Sequence, residues 1–175
     1  MANKTTIALT KEQYELIIQT MRSGGAGFRA NNRIATALVL EANLGIRIED
    51  ILELKLQDII QDGDRYRLDI IEKKTQKKRG FTVPLPIYQY IKLYAMENGI
   101  IENEKLFPIG ERAVQKHLKI VTDYLGMERI GTHSFRKFFA TEIYKNSEYN
   151  DDSCIIRTAF LKHPDKIPET FGQDS

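Results

Sequence analysis

The sequence has 175 residues, with 26 lysines and arginines against 24 aspartates and glutamates, which gives a formal net charge of +2. Hydrophobic residues make up 42% and charged residues 29%, as in an ordinary globular domain, and no apolar run reaches the roughly 20 residues that a membrane helix needs. The single cysteine excludes an internal disulfide and a cysteine-rich zinc site, and the small net charge does not by itself indicate a nucleic-acid partner.

The first predicted helix begins after Thr10. The residues before it lack the long apolar core of a secretory signal, so we expect the chain in the cytoplasm. Thr10 and Gln13 stand three residues apart in the pattern of a capping box. The apolar residues that follow at helical spacing are Tyr14, Ile17, Ile18 and Met21. The helix is predicted to end near Ser23-Gly24-Gly25.

A central, buried helix is predicted over residues 34–40, which are apolar on nearly all sides. Gly45 follows as a C-terminal cap, so Arg47 is expected to leave the core at a turn. A short helix should come next, because apolar residues keep the helical period at Ile48, Ile51 and Leu52, with Leu56 as an optional extension. Its polar side is expected to carry Glu49, Asp50 and Glu53.

Two antiparallel strands are predicted after the Asp62-Gly63 turn signal. In the first strand, apolar and polar residues alternate from position 65 to position 70, and the second strand covers residues 80–83. The residues between the strands include five cations within seven positions: Lys73, Lys74, Lys77, Lys78 and Arg79. We expect these cations at a hairpin tip, where such a run is either a solvated turn or a contact to a phosphate backbone.

Two further helices are predicted after Pro84 and Pro86, which end the sheet. The first is marked by Ile87, Ile91, Tyr94 and Ala95 and ends at Asn98-Gly99; the second is marked by Val114, Leu118, Val121 and Leu125 and ends at Gly126. His117 lies beside the second apolar stripe and is interpreted as a packing residue. Its position does not indicate a ligand.

The next helix, over residues 132–141, has two chemically different faces. His133, Arg136, Lys137 and Ala140 fall on one side, and Phe135, Phe138 and Phe139 fall on the other. An amphipathic helix with a basic outer face is most often only a solvated surface helix. A short helix is predicted from Asp151, while Pro164 and Pro168 prevent a long continuation. The resulting fold class is mainly α with a small antiparallel β-hairpin or sheet (α+β).

Several common catalytic motifs are absent from the sequence. It contains no phosphate-binding Gly-x-x-x-x-Gly-Lys loop, no Gly-x-Gly-x-x-Gly, no His-Glu-x-x-His and no Gly-x-Ser-x-Gly. We therefore expect no nucleotide or metal cofactor. Five cationic or imidazole side chains stand at element edges and together could hold a phosphodiester without a metal. They are Arg47, Lys74, His133, Arg136 and His163.

Four motifs in the chain resemble the ordered boxes of the tyrosine recombinases, the phage-integrase family. Residues 45–55, Gly-Ile-Arg-Ile-Glu-Asp-Ile-Leu-Glu-Leu-Lys, resemble the first-arginine motif. Lys74-Thr75 before Val83-Pro84-Leu85 resembles the β-hairpin lysine box. His133-Ser134-Phe135-Arg136 resembles the His-x-x-Arg box, and Phe160-Leu161-Lys162-His163 resembles the Leu-Gly-His box with lysine in place of glycine. The resemblance covers residues 30–163 and implies a tyrosine recombinase catalytic domain.

The resemblance also implies a role for each matching residue. Arg47 and Arg136 would hold the scissile phosphate, and His133 would assist proton transfer. Lys74 would protonate the leaving 5′-oxygen, and His163 would donate to a phosphate oxygen. Asp50 would be an acid that orients the phosphate-binding residues without contacting the phosphate itself. Lys73, Lys77, Lys78, Arg79 and Lys137 are the expected DNA-backbone contacts.

The family attacks DNA with a tyrosine about nine residues after the last histidine, and here that tyrosine is absent. Phe171 is nearest to the expected place, and no tyrosine follows His163. Relatives also have a C-terminal helix that docks onto a neighbouring subunit. Residues 151–175 are therefore expected to be an atypical or truncated tail.

The sequence-based prediction is thus a single catalytic domain over residues 1–175, without the family's N-terminal DNA-binding domains. The resemblance implies site-specific integration or excision of DNA for a phage or mobile element, through a 3′-phosphotyrosine, although the expected nucleophile is missing. It also implies double-stranded DNA as the partner, self-association into a tetramer on DNA and no membrane association. Two alternatives remain: a type IB topoisomerase-like enzyme and a DNA-binding protein that does not cleave.

Overall fold

The fold of the chain is taken from a computed structural model, which describes the backbone of residues 5–147 and the side chains of residues 5–142. The helices are α1 (Lys11–Ser23), α2 (Asn32–Leu44), α3 (Ile48–Ile51), α4 (Leu85–Glu97), α5 (Glu111–Tyr124) and α6 (Thr132–Ser147). The strands are β1 (Ile59–Asp62), β2 (Arg65–Ile71) and β3 (Lys78–Val83). The predicted class, mainly helical with a small antiparallel sheet, is confirmed.

Helix α1 begins where the capping-box pattern predicts. The Thr10 hydroxyl accepts from the Gln13 backbone N–H at 3.1 Å, and the Gln13 side chain accepts from the Thr10 N–H at 3.0 Å. The reciprocal bonds satisfy two backbone donors that a helix start otherwise leaves unpaired. All four apolar residues predicted for its inner face are buried. The helix is capped at Gly24, so the predicted bounds of this element are confirmed.

Helix α2 is the centre of the core and packs against α1, α3, α4 and α6. Residues 34–44 of this helix are all buried, which confirms the central helix predicted from its apolar sequence. Asn31 caps its first turn, with its side-chain oxygen accepting from the Ile34 N–H at 3.0 Å. The helix ends at Gly45, whose φ of +69° is a left-handed conformation that glycine adopts without strain.

The sheet has three antiparallel strands in the order β1-β2-β3, although the sequence predicted only β2 and β3. Strand β1 pairs Ile59 with Leu68 and Asp62 with Arg65. Strand β1 was not predicted because only Ile59 of its four residues is buried, so its sequence shows no alternation of buried and exposed residues. The predicted Asp62-Gly63 turn joins β1 to β2, with Gly63 at a φ of +66°.

The hairpin between β2 and β3 has longer strands and a shorter loop than predicted. Lys78 and Arg79 were expected at the tip, but both belong to β3, where Lys78 pairs with Ile71 and Arg79 with Ile70. The loop itself therefore runs only from position 72 to position 77. Strand β3 begins early because backbone pairing does not depend on apolar side chains, so charged residues can extend a ladder.

Helices α4 and α5 follow the predicted apolar patterns. The inner residues Ile87, Ile91, Tyr94 and Ala95 of α4 and Val114, Leu118 and Val121 of α5 are buried. Gly126, at a φ of +70°, follows α5 as predicted. His117 lies edge-on to Phe28 at 6.0 Å between ring centroids, and burial lowers the pKa of this imidazole. These contacts agree with its prediction as a packing residue.

Helix α6 buries the aromatic face predicted for it, with one exception. Phe135 and Phe138 are fully buried, and Phe138 stacks on Tyr14 at 4.7 Å between ring centroids. Phe139, which was predicted on the same face, is only half-buried, and its ring lies against Gly45. His133 and Ala140 are exposed, as expected for the opposite face.

None of the helices in residues 5–147 is long and apolar enough to cross a membrane.

Candidate functional site

Arg47 leaves the core through the turn that Gly45 makes possible. Ile46, between Gly45 and Arg47, is 2% exposed. Its burial in the core fixes the backbone immediately before the arginine. Arg47 then occupies the N-cap position of α3, and its side chain is 21% exposed. Its Nη1 donates to Glu72 Oε2 at 2.9 Å. This is the only hydrogen bond of the Arg47 side chain within residues 5–142, so most of its five N–H donors remain unused there.

Arg136 reaches the same turn from α6. Its Nε donates to the carbonyl oxygen of Gly45 at 3.1 Å, across 91 positions of sequence. The carbonyl belongs to the left-handed cap of α2, where helical hydrogen bonding has ended and an acceptor is available. One short segment, residues 45–47, therefore carries one arginine and holds the other.

His133 and Lys137 flank Arg136 on α6. Together with Thr5 and Thr6, these three residues line an open groove of about 420 Å³, referred to below as the α6 groove. The His133 side chain is exposed. The Lys137 amine donates to the carbonyl of Thr6, so this cation, predicted as a DNA contact, also ties the N-terminal segment to α6.

The hairpin loop docks on α3 through Asp50. The sequence placed Asp50 on the polar side of α3, but the residue is only 4% exposed. Its Oδ1 accepts from the Lys73 backbone N–H at 3.1 Å, while its buried Oδ2 has no hydrogen-bond partner among residues 5–142. The difference arises because the hairpin folds back over α3 and covers this carboxylate, a contact that helical periodicity cannot register.

The cations of the hairpin loop differ in their surroundings. The Lys73 amine pairs with Glu53 at 2.9 Å, and its hydrogen bond to Glu53 raises the pKa of Lys73. Lys74 and Lys77 are exposed, and their amines make no hydrogen bond or ion pair in the described part of the chain. Lys74 is thus available for an external partner, whereas Lys73 is already paired.

Glu72 is a buried acid that sequence analysis missed. Its carboxylate is shared by Arg47, by Arg79 at 3.4 Å and by the Thr75 hydroxyl at 2.9 Å. Desolvation raises the pKa of Glu72, but the Thr75 hydrogen bond and the two arginine charges outweigh it and hold that pKa below its ordinary value. Little in the sequence signals this role, because one glutamate beside a run of cations resembles any solvated charge pair.

Glu41 is a second buried acid near the site. It lies on α2 and is 1% exposed, and desolvation raises the pKa of Glu41 well above its ordinary value even though the charge of Arg136 opposes this. An apolar helix containing a single glutamate does not indicate that the carboxylate will lie close to Arg136.

Two of the predicted site residues, His163 and Phe171, lie outside the described residues. Across residues 5–142, no three His, Cys, Asp or Glu side chains are grouped so that they could hold a metal ion. The structure brings Arg136 and the hairpin loop to the α2–α3 turn that carries Arg47, and His133 lies beside Arg136 in the α6 groove.

Comparisons with known proteins find related sequences and a related fold. A family model described as the phage integrase family matches residues 8–152. The probable integrase/recombinase YoeC of Bacillus subtilis (strain 168) is 32% identical over 125 residues, which cover 67% of this chain and 66% of that protein. The chain thus spans slightly less than two thirds of this curated relative.

Two crystal structures of the XerH site-specific recombinase have a similar fold. The complex with its difH substrate before cleavage superposes with a TM-score of 0.59, at 19% identity, over 89% of this chain and 47% of that chain. The complex with a palindromic difH substrate after cleavage gives a TM-score of 0.61, at 19% identity, over 91% and 47%. The chain spans about half the length of these recombinases, and at this identity the likeness concerns the fold.

Proposed function

This chain belongs to the phage integrase family, and we propose that it binds double-stranded DNA and acts in site-specific recombination by holding a scissile phosphate. The observation that carries the proposal is the hydrogen bond from Arg136 to Gly45, which brings α6 to the turn from which Arg47 emerges. Two guanidiniums at one place can neutralise a phosphate and donate to its nonbridging oxygens. Fixed donors of this kind stabilise a group most strongly when negative charge develops on it during the reaction, as it does on a pentavalent phosphate.

The other side chains take supporting roles in the proposed site. His133 lies exposed beside Arg136 in the α6 groove, where it would assist proton transfer. Lys74, on the loop that docks against α3, would protonate the leaving 5′-oxygen. Asp50 would fix this loop through its bond to the Lys73 N–H. A role for His163 and self-association on DNA are proposed only because the chain belongs to this family.

The proposal is tested first by selection of binding sites. The full chain is incubated with a random library of duplex DNA, bound duplexes are recovered through several rounds, and affinity is measured by fluorescence anisotropy. We expect enrichment of a specific sequence over unselected DNA, because a recombinase must find its site among many others. Failure to enrich any sequence, with only weak and uniform binding, would contradict site-specific recombination.

We predict that the hairpin cations contact the DNA backbone without regard to sequence. Replacing Lys77, Lys78 and Arg79 together by glutamine should flatten the dependence of log Kd on log salt. The slope should fall by about 0.9 for each phosphate that the variant no longer neutralises, because each neutralised phosphate releases counterions. The slope is measured by anisotropy over a series of salt concentrations.

A matched control replaces Arg112, Lys116 and Lys119 of α5 by glutamine, since these three cations also lie on an exposed surface. This triple variant removes the same charge from a helix that supplies no candidate site residue. Equal slopes for the hairpin variant and the wild type would show that the cation run is only a solvated hairpin.

A non-cleaving DNA-binding role is the second candidate function, because residues 164–175 contain no tyrosine. We predict that the chain forms no covalent adduct with DNA, since the phosphate-binding side chains promote attack only if a nucleophilic oxygen is present. The measurement is denaturing electrophoresis after incubation with a nicked form of the selected duplex.

A tyrosine recombinase on its own nicked site serves as the positive control for this measurement. A covalent band from the present chain would contradict the prediction, and Tyr144 and Tyr149 would then be the first residues to replace by phenylalanine. The variant Phe171→Tyr tests whether restoring a hydroxyl near the expected position is sufficient for cleavage.

A further inference from the structure

Glu72 stands where the hairpin meets the Arg47 turn, and both of its carboxylate oxygens are engaged. Oε2 lies 2.9 Å from Arg47 Nη1 and 3.4 Å from Arg79 Nη1. Oε1 accepts the Thr75 hydroxyl at 2.9 Å. The side chain is only 5% exposed, whereas Glu53, which pairs with Lys73 of the same hairpin loop, is 43% exposed. A carboxylate held in this way has little freedom to follow a moving partner.

The backbone around Glu72 is fixed as well. The Glu72 N–H donates to the Lys77 carbonyl at 3.0 Å, and the Gln76 N–H donates to the Glu72 carbonyl at 2.8 Å. These bonds close the hairpin loop, and Asp50 holds the next residue, Lys73, from the side of α3. The carboxylate of Glu72 is therefore attached to a loop that is itself held on two sides.

We propose that Glu72 is a positioning residue for Arg47, holding one edge of its guanidinium so that the remaining donors are ordered before a phosphate arrives. The inference rests on the proposed phosphate-binding role of Arg47. An arginine side chain loses considerable rotamer freedom when it is immobilised. If Glu72 already orders the Arg47 side chain in the free protein, less conformational entropy is lost when a phosphate binds.

The charges of Glu72, Arg47 and Arg79 allow the positioning role of Glu72 to be distinguished from a purely structural role. Arg47 and Arg79 contribute two positive charges and Glu72 one negative charge, so the variant Glu72→Gln raises the local charge by one. We expect this variant to bind mixed-sequence duplex DNA roughly two- to fivefold more tightly at low salt. In the same variant Arg47 should become less ordered, because the charge-assisted hydrogen bond is removed. A variant that only damaged the fold would not bind duplex more tightly.

The order of Arg47 can be measured by ¹⁵N NMR of arginine side chains in the full chain. In the wild type, rotation of the Arg47 guanidinium about its Cζ–Nε bond should be slow, and Glu72→Gln should speed it by about tenfold or more. The Arg47 resonances should shift when a mixed-sequence duplex is added to the wild type, and that shift should shrink in the variant. Thermal unfolding verifies that each protein is folded.

Two further variants separate the effect of the Glu72 charge from the effect of its side-chain length. Glu72→Asp keeps the negative charge but withdraws it by one methylene, so Arg47 should rotate faster and duplex affinity should fall, because phosphate binding then bears the cost of ordering the side chain. Glu53→Gln is the matched control, because it removes a carboxylate that pairs with Lys73 and Lys105 and not with Arg47. It should tighten duplex binding as Glu72→Gln does, without changing the rotation of Arg47.

Unchanged Arg47 rotation in folded Glu72→Gln and Glu72→Asp would overturn the positioning role. If Glu72→Gln does not fold, Glu72→Asp decides the question by the same measurement. If the wild-type Arg47 resonances do not move on adding duplex, the proposed phosphate contact of Arg47 fails, and rotation in the free protein still decides whether Glu72 orders the arginine.

Discussion

The variant Gly45→Ala is expected to lower the free energy of unfolding by about 3 kcal/mol, measured by urea denaturation followed by circular dichroism. The left-handed backbone of Gly45 costs an alanine about 1 kcal/mol. In addition, a Cβ at this position would lie 2.3 Å from the ring of Phe139, and relieving such overpacking costs about 1–3 kcal/mol. The carbonyl oxygen of Gly45 also accepts the hydrogen bond from Arg136, so this substitution disturbs the backbone at the candidate site.

Gly126→Ala is the matched control for this prediction. Gly126 also follows a helix and has a similar φ of +70°, but a Cβ there would have no neighbour within 4 Å. It should therefore show only the backbone cost of about 1 kcal/mol. Equal destabilisation in the two variants would mean that Phe139 moves aside easily and that the tight α2–α6 contact does not fix the turn.

Replacing either Arg47 or Arg136 by alanine should weaken binding to the selected duplex by about 1–3 kcal/mol, the cost of removing charge-assisted hydrogen bonds to a phosphate. If both arginines hold the same phosphate, the double variant should lose less binding free energy than the two single variants together, because the effects of neighbouring residues are not additive. Anisotropy titrations of the wild type, both single variants and the double variant measure this coupling.

Lys92→Ala serves as the control for a general loss of positive charge. Lys92 is an exposed cation on α4, a helix that supplies no candidate site residue. It should change the affinity for the selected duplex by less than about 0.5 kcal/mol. Strictly additive effects for Arg47 and Arg136, or effects no larger than that of Lys92, would contradict a shared phosphate.

The helices, several of their ends and the family were predictable from the order of the amino acids, but α6 was predicted only to residue 141 and runs to Ser147. Capping residues such as Thr10 and the glycine at position 45 act through local backbone geometry, so their positions predict helix bounds directly. The apolar face of α6 was likewise predictable from its period, because burial of Phe135 and Phe138 depends on helical spacing. The ordered boxes around Arg47 and Arg136 indicated the family before any contact was known.

The way in which those boxes meet depends on the three-dimensional fold and could not be predicted. The bond from Arg136 to Gly45 crosses 91 positions, and the bond from Arg47 to Glu72 crosses 25; no local pattern specifies such pairs. Strand β1 went unpredicted because its stability comes from pairing with β2 and not from its own side chains. Asp50 and Glu72 resembled surface acids in the sequence, since burial of a carboxylate depends on which distant segment folds over it.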